Sequence, residues 1–390
     1  MASCMVGKND GLAKYMGTSG WAIIVNMGEC GMRRNYSSVV VCFVLVLLLS
    51  GQVSASTEAI SLKGAIQRVL EESIDCKIAQ LEWENGQIAY QKAMADNLLT
   101  QSTYNQGLAE LNLMKAEATY KKSIADVVVT TVRRFSDVKL AMMDLQIREH
   151  QLRLSEKGLG LTQKKVQTQN ASEYDLLQAE ATLAQSQYEW EKAKDSLEEK
   201  KQAFFLLINS EQVFPDGKLR FVPFEVDLAT VLPQVIHSSV DIREAKDSLE
   251  LAKLDLERLL LEGTADLLVR EARNQVSVAG LKVEQTRVST TQEIQLAYNA
   301  VKQAEQAYKA SCLSHELERK QHQITKGQVE AGLKTEDDLL KAQISLWESE
   351  RSVYSGVTSY ILAHLEFDQL IGKDVRASQV LQAVDLEANE

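Results

Sequence analysis

Apolar residues recur every seven positions along two stretches of the chain. In the first, Leu176, Leu183, Trp190, Leu197 and Phe204 are followed three positions on by Ala179, Ser186, Ala193, Lys200 and Leu207. In the second, Leu339, Leu346, Val353, Tyr360 and Phe367 are followed by Ala342, Ser349, Gly356, Ala363 and Leu370. Strict seven-residue spacing is the seam of a supercoiled helix pair. Small residues at alternate seam positions let the partner helix approach closely. The pattern predicts helices over 173–209 and 336–371.

The two stretches belong to a duplicated unit. Val166–Ala179 aligns with Val329–Ala342 at an offset of 163, which also pairs Phe135 with Tyr298, Leu154 with Leu317 and Phe204 with Phe367. Earlier in each unit, 62–69 matches 228–235, and Ser73 and Asp75 match Ser239 and Asp241, at an offset of 166. Each unit predicts three helices. The first covers 62–95 and 228–262, the second 109–168 and 265–331, and the seam helix comes third. Sixty helical residues span about 90 Å, so the expected object is elongated. The run Val127–Val132 has strand propensity, which its helical flanks override. The fold class is all-α, with elongated antiparallel coiled-coil hairpins in two structural repeats.

Composition agrees with this reading. Only three prolines occur in 390 residues, and Pro215, Pro223 and Pro233 fall within 19 positions at the junction of the two units. Aromatics are 6% of the chain and 45% is apolar, which excludes a disordered chain. The net charge is −11. Without residues 1–55, which hold four basic and two acidic groups, 39 basic and 52 acidic groups remain, a net of −13. A chain this acidic, lacking a basic stripe, is not a nucleic-acid binder. The five cysteines form no C-x-x-C pair, and only Cys76 and Cys312 lie beyond the N-terminal segment. No disulfide framework, metal site or cofactor is expected.

The N-terminus looks like an export signal. Met32-Arg33-Arg34 precedes eleven apolar or weakly polar residues, Val39–Leu49, and then Val53-Ser54-Ala55. Cleavage after Ala55 is expected, since about 20 apolar residues are needed to span a bilayer. Retained, the segment would be a tether. The expected organisation is a mis-assigned upstream start (1–31), a signal peptide (32–55) and repeat 1 (56–213). A linker (214–226), repeat 2 (227–373) and a C-terminal tail (374–390) follow.

The turns joining second and third helices concentrate the candidate residues. Ser172 with Asp175, and Thr335 with Asp338, fit a helix start in which a hydroxyl caps a free amide. Gly332 suits a left-handed helix end, a place Asn170 would fill in the other copy. On this structural reading, the residues simply build tight helical hairpins.

The signal segment, the duplicated layout and the pattern G-x-x-[ST]-x-x-D-L-L-x-A from Gly332 resemble the TolC-like outer membrane efflux proteins. The likeness covers nearly all of 60–373. It implies a homotrimer forming a hollow cylinder, whose helical tips meet a periplasmic adaptor and an inner-membrane pump. The turns carrying Gln169, Asn170, Ser172 and Asp175, and Gly332, Lys334, Thr335 and Asp338, would be those tips. Asp338 matches an acid that rings the narrowed entrance, and three copies would favour cations there. Lys341 stands where the family can supply a second acid. Lys334 and Asp175 are expected to pair across neighbouring hairpins and hold the entrance closed.

One departure is large. The family inserts a β-hairpin between the first and second helices of each unit, and these close a membrane barrel. Two membrane strands and a turn need at least about 20 residues. Repeat 1 offers only 96–108, without an alternating apolar band, and repeat 2 only Gly263-Thr264. A trunk without its barrel is expected, and outer-membrane insertion is not implied.

No enzyme is expected. His315 and His322 are seven apart, too far to chelate as an i, i+4 pair, and no phosphate loop, nucleophile elbow or H-E-x-x-H occurs. Adaptors need β-rich domains for which there is no room. Two functions remain: an efflux conduit, or a static extracytoplasmic scaffold derived from one.

Overall fold

The computed structural model describes residues 58–210, 213–217 and 219–383. The expected upstream start and signal peptide lie outside the described residues. Strand β1 is Glu58–Ile60. Repeat 1 continues with helices α1 (Leu62–Glu72), α2 (Ile74–Thr100), α3 (Thr103–Gln167) and α4 (Glu173–Ile208). Strand β2 (Val213–Pro215) leads to α5 (Leu228–Ser238), α6 (Val240–Leu261), α7 (Asp266–Glu330) and α8 (Glu336–Leu370). A 3₁₀ turn, Val375–Ala377, and α9, Gln379–Ala383, end the described chain.

Each expected first helix is split in two, at equivalent serines. The Ser73 hydroxyl accepts from the Asp75 N–H at 3.2 Å and the Ser239 hydroxyl from the Ile242 N–H at 3.4 Å. A hydroxyl that caps a new helix competes with continuation of the old one. Helices α3 and α7 are both 65 residues long, about 100 Å. The Val127–Val132 run is helical, with Val128 and Val132 fully buried.

Connections between hairpin helices are short. Only Gln101 and Ser102 separate α2 from α3, so α3 starts six residues earlier than expected. Asn97 closes this turn: its Oδ1 accepts from the Ser102 N–H (2.9 Å) and the Thr100 hydroxyl (2.8 Å), while its Nδ2 donates to the Ser102 carbonyl (3.0 Å). Residues 262–265 join α6 to α7, turning at Gly263 (φ 62°). Neither connection holds a β-hairpin. Among the described residues the one sheet is the parallel pair β1–β2, Ala59 opposite Phe214.

The long helices pack side by side in one layer. Toward one end the order is α4–α3–α8–α7; toward the other it is α2–α3–α6–α7. Cross-links fix α3 antiparallel to α8: Gln369 donates to Asp126 at 3.2 Å, Arg351 lies 3.5 Å from Asp144, and the His150 and Trp347 rings are 4.3 Å apart. Helix α3 is likewise antiparallel to α6, with Lys115 2.8 Å from Glu244. Since α7 and α8 are also antiparallel, α3 and α7 run the same way.

Position in the layer decides burial. Helix α8 has neighbours on both sides and buries Ile344, Val357, Tyr360, Ile361, Leu365 and Phe367, whereas edge helix α4 buries chiefly Ala193, Leu197, Phe204 and Ile208. The duplication is visible in the core: Phe135 meets Phe204 edge-on at 6.1 Å, and their counterparts Tyr298 and Phe367 meet at 6.2 Å. At the seam of α7 and α8, a Cβ on Gly356 would lie 3.3 Å from the Tyr308 Cα, the close approach that small seam residues permit.

The 214–226 segment is packed rather than free. Phe221 stacks on Tyr308 at 4.8 Å, and Phe224 is buried against Tyr298, His364 and Phe367. The Tyr360 hydroxyl donates to the Val222 carbonyl, and Lys302 to the Phe224 carbonyl at 3.1 Å. This strap holds the junction of the repeats against α7 and α8.

Candidate functional site

The candidate residues fall in two turns of matching construction. Helix α3 ends at Gln167 with Thr168 as its cap, and Gln169 takes the left-handed conformation (φ 59°). The Asn170 N–H donates to the Lys165 carbonyl (2.7 Å) and the Gln169 N–H to the Val166 carbonyl (3.0 Å). The second turn repeats this at an offset of 163. Gly332 is left-handed (φ 74°), the Leu333 N–H donates to Gln328 (2.8 Å), and the Gly332 N–H to Val329 (2.9 Å). Both are Schellman ends, which satisfy carbonyls that a helix terminus would otherwise leave open. The left-handed residue in repeat 1 is therefore Gln169, not Asn170. Asn170 instead donates its side-chain amide to the Thr168 hydroxyl at 3.1 Å.

The following helices start on full capping boxes. Asp175 Oδ2 accepts from the Ser172 N–H and hydroxyl, both at 2.8 Å, while the Asp175 N–H donates to the Ser172 hydroxyl at 3.2 Å. Asp338 Oδ2 accepts from the Thr335 N–H (3.0 Å) and hydroxyl (2.7 Å), and its N–H donates back at 3.2 Å. These bonds, from backbone first and hydroxyl second, hold both carboxyls below the usual carboxylate range. Lys341 and Lys334 lower Asp338 further, so this acid sits between two cations.

Gln169, Asn170, Ser172 and Asp175 are thus together at one tip, and Gly332, Lys334, Thr335, Asp338 and Lys341 at the other. Within the chain, Asp175 and Lys334 form no ion pair among the described residues. Both tips lie at the same end of the layer but not at one height. Lys157 Nζ is 3.7 Å from Asp337 Oδ1 and Gln151 donates to Glu348 at 2.9 Å, which set the start of α8 opposite about residue 160 of α3; α3 runs on to Gln167, about 10 Å further. The sequence pattern did not single out three exposed apolar side chains here, Leu333 (77% exposed), Tyr174 and Leu177. Each lies off the seven-residue seam, and the lack of a seam role was the only available signal.

Among the described residues, no group of three His, Cys, Asp or Glu is placed to hold a metal. Cys76 and Cys312 are free thiols. His315 is spent in the α7–α8 seam, with Nδ1 3.0 Å from the Ser349 hydroxyl.

No protein-family model matches the chain, and no curated protein matches it. Solved structures do. A membrane protein from Pseudomonas aeruginosa aligns over 82% of this chain and 92% of its own, at 14% identity and a TM-score of 0.58. The CmeC outer membrane channel of Campylobacter jejuni covers 83% and 88%, at 14% identity and 0.57. The outer membrane protein VceC of Vibrio cholerae covers 80% and 96%, at 13% identity and 0.57. At such identity the likeness establishes the fold: this chain is built as the helical trunk of such channels, without barrel strands among its described residues.

Proposed function

We propose that this chain, sharing the trunk fold of TolC-like channels, is one protomer of an efflux conduit in the cell envelope, through which substrates pass chemically unchanged. The open-edged layer is the observation that supports this most. Edge helix α7 exposes Leu281, Leu296, Leu313 and Leu317, and edge helix α4 exposes Tyr188 and Leu206. Scattered exposed apolar residues are ordinary, but rows along both edges of one layer are surface awaiting neighbours. Three copies joined edge to edge close the layer into a cylinder.

The capped tips then face a periplasmic adaptor and an inner-membrane pump, with Leu333 and Tyr174 supplying apolar contact. Lys334 of one tip and Asp175 of the next pair to hold the entrance closed. An exposed pair is worth at most about 1 kcal/mol, so only its threefold repetition matters. Because Asp175 also caps α4, Lys334→Glu is the informative variant. It leaves both caps intact and should raise substrate passage; unchanged passage would rule the pair out.

Analytical ultracentrifugation of the full chain tests the main reading. A trimer at micromolar concentration is expected. A monomer that persists at high concentration would overturn the conduit and leave the static scaffold.

A further inference from the structure

The end of the layer opposite the capped turns carries leucines that the duplication, the seam and the tips do not use. Leu99 is 91% exposed, Leu261 82%, Leu98 77% and Leu267 75%. They occupy the last turns of α2 and α6 and the first turn of α7. Since α3 and α7 run the same way, both apices lie at one end. The pairing of Lys115 with Glu244 places Thr103 opposite residue 256 or so, and α6 continues about five residues, roughly 8 Å, beyond. The first apex is held shut by Asn97, which is buried while its neighbours Leu98 and Leu99 are outside.

The occupant of this face follows from its direction, charge and size. It looks along the helix axes, so a copy packed edge to edge does not reach it. Tip-to-tip contact between copies would oppose Asp96, Asp255, Glu262 and Asp266 to their own duplicates, and Arg258 is already paired with Asp255 (2.7 Å) and Glu262 (3.1 Å). These four leucines, with Leu260 (52% exposed) and Leu268 (46%) beside them, supply about 300–600 Å² of apolar surface, short of the roughly 800 Å² per partner of a stable protein interface. A zwitterionic bilayer has no net charge to repel these acids, and its interior accepts small apolar wedges. Among the described residues no helix is long and apolar enough to cross a membrane. We infer that the two apices insert their leucines shallowly into a zwitterionic lipid surface, docking the chain end-on without crossing. This rests on the fold alone and holds whether or not copies close into a conduit.

The test uses the full chain with phosphatidylcholine vesicles, in the variants Leu99→Trp and Leu313→Trp, the latter on the exposed side of α7. Chain-brominated lipid should quench the added fluorescence at 99 and leave that at 313 unchanged. A vesicle contact made elsewhere in the chain leaves position 99 unquenched and overturns the inference. Replacing Leu98, Leu99, Leu261 and Leu267 together by Gln should lower vesicle partitioning about tenfold or more. Binding of the parent should persist in about 0.5 M salt, because it is apolar rather than ionic. Unchanged partitioning overturns the inference. So does a shift in sedimentation without a shift in partitioning, which would assign the apices to contacts between copies.

Discussion

Asp368→Ala is expected to cost about 3–5 kcal/mol of unfolding free energy, the range for breaking a buried charge network. Asp368 is 2% exposed near the end of α8. Its Oδ2 accepts from the Ser378 hydroxyl at 2.6 Å and lies 3.2 Å from His364 Nδ1, with Lys373 Nζ 3.9 Å from Oδ1. One carboxylate therefore ties the chain beyond α8 back onto that helix. Burial alone would raise its pKa, but His364, Ser378 and Lys373 together outweigh burial and hold it below the usual range. A carboxyl with a depressed folded pKa stabilises the fold above its unfolded value, about 3.9, and this contribution fades as pH falls through the folded value. Urea unfolding at pH 7 should show the full difference between parent and variant, narrowing below about pH 4. A loss under 1 kcal/mol at pH 7 would mean that the network is structurally idle.

Phe367→Ala should cost a similar amount, about 3–5 kcal/mol, by a different route. Phe367 is fully buried, with its ring 5.2 Å from Phe224 and 6.2 Å from Tyr298. Truncation opens a cavity lined by the strap on one side and α7 on the other, and neither can collapse without moving the repeat junction. Proteolysis within 219–227 should accelerate in this variant. Phe204→Ala, its counterpart in repeat 1, should destabilise comparably but leave the strap protected, since Phe204 packs on Phe135 instead. Equal protease sensitivity in the two variants would sink the assignment of Phe367 as the strap's anchor.

The features legible in the sequence are those whose cause is periodic or local. The seven-residue seam gave α4 and α8 within a residue of their observed ends, because every turn of those helices repeats the same demand. The capping boxes at Ser172 and Thr335 were legible because all their bonding groups lie within three residues. The left-handed position at Gln169 was misplaced by one residue. It is fixed by counting back from the helix end, and Gln carries no conformational mark as Gly332 does. The breaks at Ser73 and Ser239 contain neither proline nor glycine; there the sequence shows only a hydroxyl that helix interiors also tolerate. The strap was invisible because Phe221 and Phe224 find partners more than seventy residues away. Burial around α8 likewise depends on having α3 as a second neighbour, which no pattern within α8 announces.

The difference in height between the two capped tips has a consequence for symmetry. Two near-identical hairpins in each of three copies would present six equivalent ends to a partner if they were level. With repeat 1 reaching about 10 Å further than repeat 2, the proposed ring would instead show three leading ends and three recessed ones. A partner arriving along the axis of such a ring would meet a threefold rim first, and would engage the second set only by reaching between the leading hairpins. In that proposed assembly, the near-sixfold order that duplication writes into the sequence would be reduced to threefold order at the tips.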